Sequence, residues 1–305
     1  MKHLLDQVHV SADRTFARVG DHEISAAGPK ALRGELADAL YDAFHTGHRR
    51  TEEPGSRSLR DPEFEAGLRG RVPHGDTAAL VPAEPGMPGV VRLNGVRVRL
   101  PGSRLGDHVG TPAGPARRVS LPAVQPSISP GFLLVTGSAG HGLEEGACLR
   151  VYLGAATPEA APALWGAVLE RLEKARLPYR AKVLSARDLY PRRDSIVVYL
   201  GRAAWHAVPE IAAAASETGG LREDLSAYVA ALAPGVGWAW EPDDPRPGMR
   251  GLSFGEHRSH AVAAGLLAHA EHGGDREESV RESLRAAGID PGAAHRNLAS
   301  PASPF

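Results

Sequence analysis

PYRAKVLSARDLYPRRDSIVVYL, residues 178–200, is the stretch on which the fold turns. Two apolar runs, Tyr179 to Leu184 and Ser195 to Leu200, flank the polar segment SARDLYPRRD. Both runs have the length and β-branched content of buried strands rather than helices. Working outward, FLLVT (132–136) and LRVYL (149–153) read as two further strands, joined by the turn-rich GSAGHGLEEG. Between LRVYL and Pro178 the spacing is helical. Thr157 can cap that helix with Pro158 at its first position, and Trp165, Val168, Leu169 and Leu172 mark its buried face. Strand, helix, strand and strand in close order, with more helices outside them, give an α+β protein. The expected fold is a single core, with a central mostly antiparallel sheet flanked by helices.

The rest of the chain is read around this centre. Residues 1–28 are weakly patterned and form an N-terminal extension. Pro29 opens a helix whose core stripe is Leu32, Leu36, Leu40 and Phe44, with Gly47 as its stop. Residues 46–88 and 101–130 read as long surface loops. Between them VVRLNGVRVRL (90–100) carries a hairpin signal at Asn94-Gly95. Residues 207–232 and 256–271 are expected to be helical and 233–252 to be loop. The domain then covers 29–287, and 288–305 is a flexible C-terminal tail.

Composition narrows the function. The 305 residues carry 35 basic and 36 acidic side chains, a formal net charge of -1. That balance argues against a nucleic-acid partner. The single cysteine, Cys148, excludes a disulfide within the chain and points to a reducing, cytoplasmic compartment. The start MKHLLDQVHVSADR lacks the apolar run of a signal peptide, and no stretch is long enough to span a bilayer. The expectation is a soluble cytoplasmic protein with no membrane partner. No phosphate-binding glycine signature occurs. GSAGHG follows a strand with the wrong spacing, and the Ser within it is not a nucleophile elbow. The 14 histidines include no HExxH pair, so a metal site is not expected.

Several residues could carry chemistry. Lys182 interrupts an apolar strand. It is either an exposed edge lysine or an amine facing a cavity, where desolvation disfavours the charge and suits a general base. Arg192 and Arg193 sit in the loop before the next strand, which should bring them near Lys182. Guanidinium groups suit bidentate recognition of phosphate or carboxylate. Arg150 and Tyr152 share one face of the LRVYL strand. If that strand neighbours 179–184, Tyr152 and Lys182 can converge, with Tyr152 as a general acid. Ser253 and Glu256 have the spacing of a capping box, and Arg258 follows in the first turn, where a cation and helix amides could meet an anion. The expected site is therefore cationic, built from Lys182, Arg192 and Arg258. Cys148 begins a strand and reads as an inert thiol.

These stretches together resemble the HopA1 family, named for a bacterial type III effector. The likeness lies in LADALYDAFHTG, the Asn94-Gly95 hairpin, SPGFLLVTG, LRVYLG, residues 178–200, LAPGVGWAWEP and SFGEHRSHAVAAGLL, and covers roughly residues 30–267. Members also occur in gene clusters for class V lanthipeptides and thioamitides. The resemblance implies a fold similar to phosphothreonine lyases. It also implies an activity: β-elimination of phosphate from phosphoserine or phosphothreonine of a ribosomal precursor peptide, leaving dehydroalanine or dehydrobutyrine. A separate Ser/Thr kinase-like protein would supply the phosphate, and no cofactor or metal would be needed. By position Lys182 takes the base role, and Arg192 and Arg258, with Arg150 and Arg193 beside them, take the phosphate. The strand that bears the acid histidine in phosphothreonine lyases corresponds to LRVYL, which has no histidine. Tyr152 is the nearest substitute, with His141, His45 and His257 as alternatives. A precursor peptide could add as a strand beside Arg97 and Arg99 of the hairpin. The other reading is a non-catalytic peptide- or protein-binding module, effector-like or a kinase partner.

Overall fold

The computed structural model describes residues 2–48, 59–93, 95–143 and 147–301. The chain starts with α1 (Lys2–Leu5), β1 (Val8–Val10), β2 (Phe16–Val19), β3 (His22–Ser25) and α2 (Pro29–Leu40). Next come α3 (Pro62–Arg69), β4 (Asp76–Pro82), β5 (Val90–Leu93), β6 (Val96–Arg99), β7 (Leu105–Thr111), β8 (Gly114–Pro122) and β9 (Val124–Ser129). The middle holds β10 (Phe132–Thr136), β11 (Leu149–Leu153), α4 (Ala161–Lys174), β12 (Arg180–Leu184), β13 (Ile196–Leu200) and α5 (Val208–Thr218). It closes with β14 (Ala230–Ala233), β15 (Val236–Trp240), α6 (Phe254–His272) and α7 (Arg276–Ala286).

Seven of these strands form the central sheet, in the order β14-β15-β11-β13-β12-β10-β9 with every neighbour antiparallel. The fold is α+β, as the strand runs imply. Side chains alternate across each strand, so each face has its own cover. Leu133, Val151, Val183 and Val198 pack against Trp165 and Leu169 of α4 and Ile211 of α5. Full burial of each such side chain is worth roughly 1.5–3 kcal/mol. On the opposite face Tyr152, Val197 and Ala239 meet Leu36 and Leu40 of α2 and Phe254 and Val262 of α6. Leu4, Val8, Val19 and Ile24 join this second core, so the N-terminal extension is packed into the fold.

The helix opened by Pro29 keeps its stripe but changes pitch. Residues Tyr41–Thr46 form a π-helical segment, and Gly47 ends it at φ 65, a left-handed position that favours glycine.

Expectations for five segments are corrected. Residues 46–88 contain α3 and β4, and 101–130 contain β7, β8 and β9. β4, β8 and β7 form a small sheet of their own, whose buried Val81, Ala116 and Val119 are sparse among Arg, Gly and Pro. The helix expected over 207–232 stops at Thr218, and the expected loop at 233–252 contains β15, an all-buried strand between proline- and glycine-rich turns. The tail is not loose through residue 301. Ile289 is buried, Trp240 N donates to His295 O at 2.8 Å, and Leu298 N to Gly288 O at 2.7 Å. The Asn94-Gly95 hairpin forms between β5 and β6, with Gly95 at φ 80. Asn94 itself, residues 49–58, 144–146 and 302–305 lie outside the described residues.

Candidate functional site

β13 lies between β11 and β12, so the strands of Tyr152 and Lys182 are not neighbours. The two residues nonetheless share a row, since both stand opposite Val197. Two strand spacings separate them, about 10 Å. Tyr152 lies under α6 and is buried against His45 and Phe254, whereas Lys182 lies beyond the helix edge where the sheet face is open. A cavity of about 990 Å³ occupies this opening. Phe132, Arg150, Lys182, Arg192 and Tyr199 supply its floor, Tyr41, Asp42 and Thr46 of the π segment one wall, and residues from Glu241 to Glu256 the other.

Lys182 is half-buried and forms no hydrogen bond or ion pair among the described residues. Its Nζ stands 4.0 Å from the centroid of the Phe132 ring. The Arg192 guanidinium lies 5.8 Å from that centroid, so one ring holds both cations. Arg192 donates Nε and Nη2 to the two oxygens of Asp194, each at 2.8 Å, and Nη2 also to Tyr41 Oη at 3.0 Å. Nη1 remains without a partner among the described residues. Burial would lower the Arg192 pKa, but the Asp194 carboxylate outweighs it and holds the guanidinium charged. Burial alone would raise Asp194. Arg192, with lesser help from His45 and Lys182, keeps its carboxyl well below the usual range. Burial, and then Asp194, pushes the Tyr41 phenol well above its usual range, so it keeps its proton at neutral pH.

Behind this wall His45 is enclosed by Tyr41, Tyr152, Tyr228 and Phe254. Its Nδ1 is 2.9 Å from Ser226 Oγ and its Nε2 3.8 Å from Asp194. Burial lowers its pKa to about 4 in spite of Asp194. Gly255 of α6 lies flat against the imidazole, and a Cβ there would overlap the ring.

Arg258 is fully buried and does not reach the cavity. The capping box formed by Ser253 and Glu256 is present, but this arginine turns inward. It donates to Ala294 O at 3.0 Å, Arg296 O at 3.3 Å and Asn297 Oδ1 at 2.8 Å, and meets His257 Nδ1 at 2.9 Å. Burial lowers its pKa to about 9, which leaves it a cation at neutral pH. His257 joins it to Asp244 of the cavity wall, Nε2 to Oδ2 at 2.9 Å, and burial lowers that imidazole to about 4.

The structure therefore brings Lys182, Arg192 and Arg150 together and leaves the other candidates outside. Arg150 lines the floor but is held on both oxygens of Glu241, with Nη1 3.5 Å from Tyr152 Oη. Arg193 faces away, bound to Asp224 at 2.7 Å and to Ala43 O at 2.9 Å. His141 lies in the 137–142 loop, where its Nδ1 accepts from Leu143 N, and it does not line the cavity. Arg97 and Arg99 of the hairpin are also outside it. Burial pushes the Cys148 thiol up to about 12. Sequence reasoning missed Tyr41, Asp194, Glu241, Asp244 and Arg250. Of these, Asp194 had a signal, because an Arg-x-Asp turn can close a bidentate pair on itself. The expected cationic site is in fact mixed in sign: Lys182, Arg192 and exposed Arg250 face Asp42, Asp243, Asp244 and Glu256. Among the described residues no cluster of three or more His, Cys, Asp or Glu is placed to hold a metal ion, and no helix is long and apolar enough to cross a membrane.

No curated protein sequence matches the chain. The model of the HopA1 effector protein family matches residues 123–296, more than half of the chain. Among solved structures, the effector protein from Pseudomonas syringae pv. syringae strain 61 is similar in fold. Its TM-score is 0.50 at 14% identity, over 88% of this chain and 92% of that one. The effector protein from Pseudomonas syringae pv. tomato strain DC3000 gives a TM-score of 0.49 at 14% identity, over 88% and 89%.

Proposed function

The chain belongs to the HopA1 effector protein family, and from that premise we propose that it is a lyase that eliminates phosphate from phosphoserine or phosphothreonine in a ribosomal precursor peptide. The product residue is dehydroalanine or dehydrobutyrine, the pathway class is lanthipeptide or thioamitide biosynthesis, and a separate kinase-like protein supplies the substrate. One observation carries this reading. Among the described residues Lys182 stands on the cavity floor without a carboxylate partner, beside an arginine whose Nη1 makes no hydrogen bond.

In the proposed reaction the Lys182 amine removes the Cα proton. The released electron pair forms the Cα–Cβ double bond, and the Cβ–O bond breaks with its electrons going to phosphate. Arg192 Nη1 and Arg250 hold the phosphate as its charge grows. Tyr41 replaces Tyr152 and His141 as the acid. Its oxygen accepts from Arg192, and its retained proton can pass to the leaving oxygen. Arg258 acts as a positioning residue through Asn297, whose Nδ2 donates to Glu241 O at 2.7 Å.

Mass spectrometry of a phosphorylated peptide incubated with the protein tests the proposal. Loss of phosphoric acid per site is expected, and Lys182→Ala should abolish it while the peptide still binds. A fully active Lys182→Ala protein would refute the mechanism. The alternative, a non-catalytic binding module, draws support from Arg150 and Arg192, whose strongest donors are already taken by carboxylates. Under that reading no peptide loses mass.

A further inference from the structure

A second cleft, about 710 Å³, lies between the N-terminal sheet and α2. All four residues of β3, His22 to Ser25, line it. Side chains alternate along a strand, so four consecutive lining residues mean that the backbone edge itself faces the cleft. β3 pairs only with β2, which leaves this edge without a strand partner among the described residues. The opposite wall is a single helix face, Glu35, Asp38, Ala39, Asp42 and Ala43.

The cleft has one dominant charge. Glu23, Glu35 and Asp38 are exposed and form no ion pair among the described residues. Its guanidinium, Arg193, is neutralised by Asp224. The cleft also adjoins the cavity: Asp42 lines both, and consecutive Arg192 and Arg193 line one each.

We infer that this cleft binds the peptide substrate upstream or downstream of its modified residue, as an extended, lysine- or arginine-bearing segment added to the β3 edge. Main-chain hydrogen bonds to β3 supply the binding, and the acids of β3 and α2 select basic side chains. The bound segment then runs past Asp42 and delivers the phosphorylated residue to Lys182. This builds on the peptide-lyase reading and moves the docking strand from the Arg97 and Arg99 hairpin to β3.

The test uses the full chain and two fluorescein-labelled phosphoserine peptides. One has lysine at alternate positions, and its twin has glutamate there. Anisotropy should show the lysine peptide binding at least about tenfold more tightly, with the advantage shrinking as salt rises. The double variant E35K/D38K, on the exposed helix face, should lose about tenfold of that affinity at an unchanged Tm. Lys182→Ala should keep it. Hydrogen exchange should slow at residues 22–25 when the lysine peptide is present. Equal binding of the twin, an unaffected E35K/D38K, or protection confined to other segments would overturn the assignment. Elimination without lysine preference removes the cleft and leaves the lyase. Lysine-dependent protection of β3 without elimination removes the lyase and leaves the cleft.

Discussion

Gly255 and His45 pack so closely that the glycine's missing side chain is a structural requirement. Gly255→Ala should destabilise the fold by about 1–3 kcal/mol, because the imidazole sits among four aromatic rings with no room to retreat. Urea unfolding measures this, and a neutral substitution would show that the ring can move. Tyr41→Phe keeps the ring beside Arg192 and removes only the hydroxyl. In the proposed reaction it should lower kcat by roughly 10²-fold or more with a smaller change in KM. An unchanged kcat assigns the acid elsewhere. At this scale the sequence revealed Lys182 and Arg192, because a cation inside or beside a core strand is conspicuous in local text. Arg258 misled. Its surroundings are set by Ala294, Arg296 and Asn297, more than thirty residues away in a segment whose composition reads as disorder.

The C-terminal segment is the element most unlike its sequence. It supplies the acceptors of the buried Arg258, pairs Ile289 with Asn297, and buttresses β15 through His295. Truncation after residue 287 should strand that guanidinium in the core and cost roughly 3–5 kcal/mol or more. Thermal unfolding reads the loss. A truncated chain of unchanged Tm would mean that water can replace these partners. The strand runs at 132–136, 149–153, 180–184 and 196–200 were legible because each is short, mostly apolar and bounded by turn-rich or polar segments. β15 is no less buried, but Gly237 and the flanking Pro234 and Pro242 mask it. β7 and β8 escaped because only a few of their residues enter a small core, so the alternation is faint.

For the whole molecule, acid acts through buried imidazoles and depressed carboxyls. His45 and His257 are buried neutral, each with a pKa near 4 against an ordinary 6.5. Between those values the unfolded chain binds more protons, so stability falls as pH falls through that window. The loss from His45 alone is about 2 kcal/mol between pH 7.5 and 5. Asp194 and Asp244 act lower. Arg192 offsets the burial of the first, and Arg246 leads the effect on the second. Their depressed carboxyls stabilise the fold above the usual carboxylate range and lose that contribution below it. Urea midpoints should thus drop from pH 7.5 to 5, and His45→Gln should flatten the drop. A pH-independent midpoint would contradict the burial of both rings. The antiparallel sheet could be anticipated from local runs. The contact between β15 and the C-terminal strap could not, because it joins segments far apart in the chain.

The π segment at Tyr41–Thr46 sets the angular phase of everything after Leu40. Removing one residue there, to restore an ordinary α pitch, would rotate the following side chains by about 100°. Asp42, which borders both hollows, and His45, which plugs the space beneath Gly255, would swing together. A single-codon deletion would therefore disturb the border between the two hollows and the proposed acid Tyr41 at one stroke.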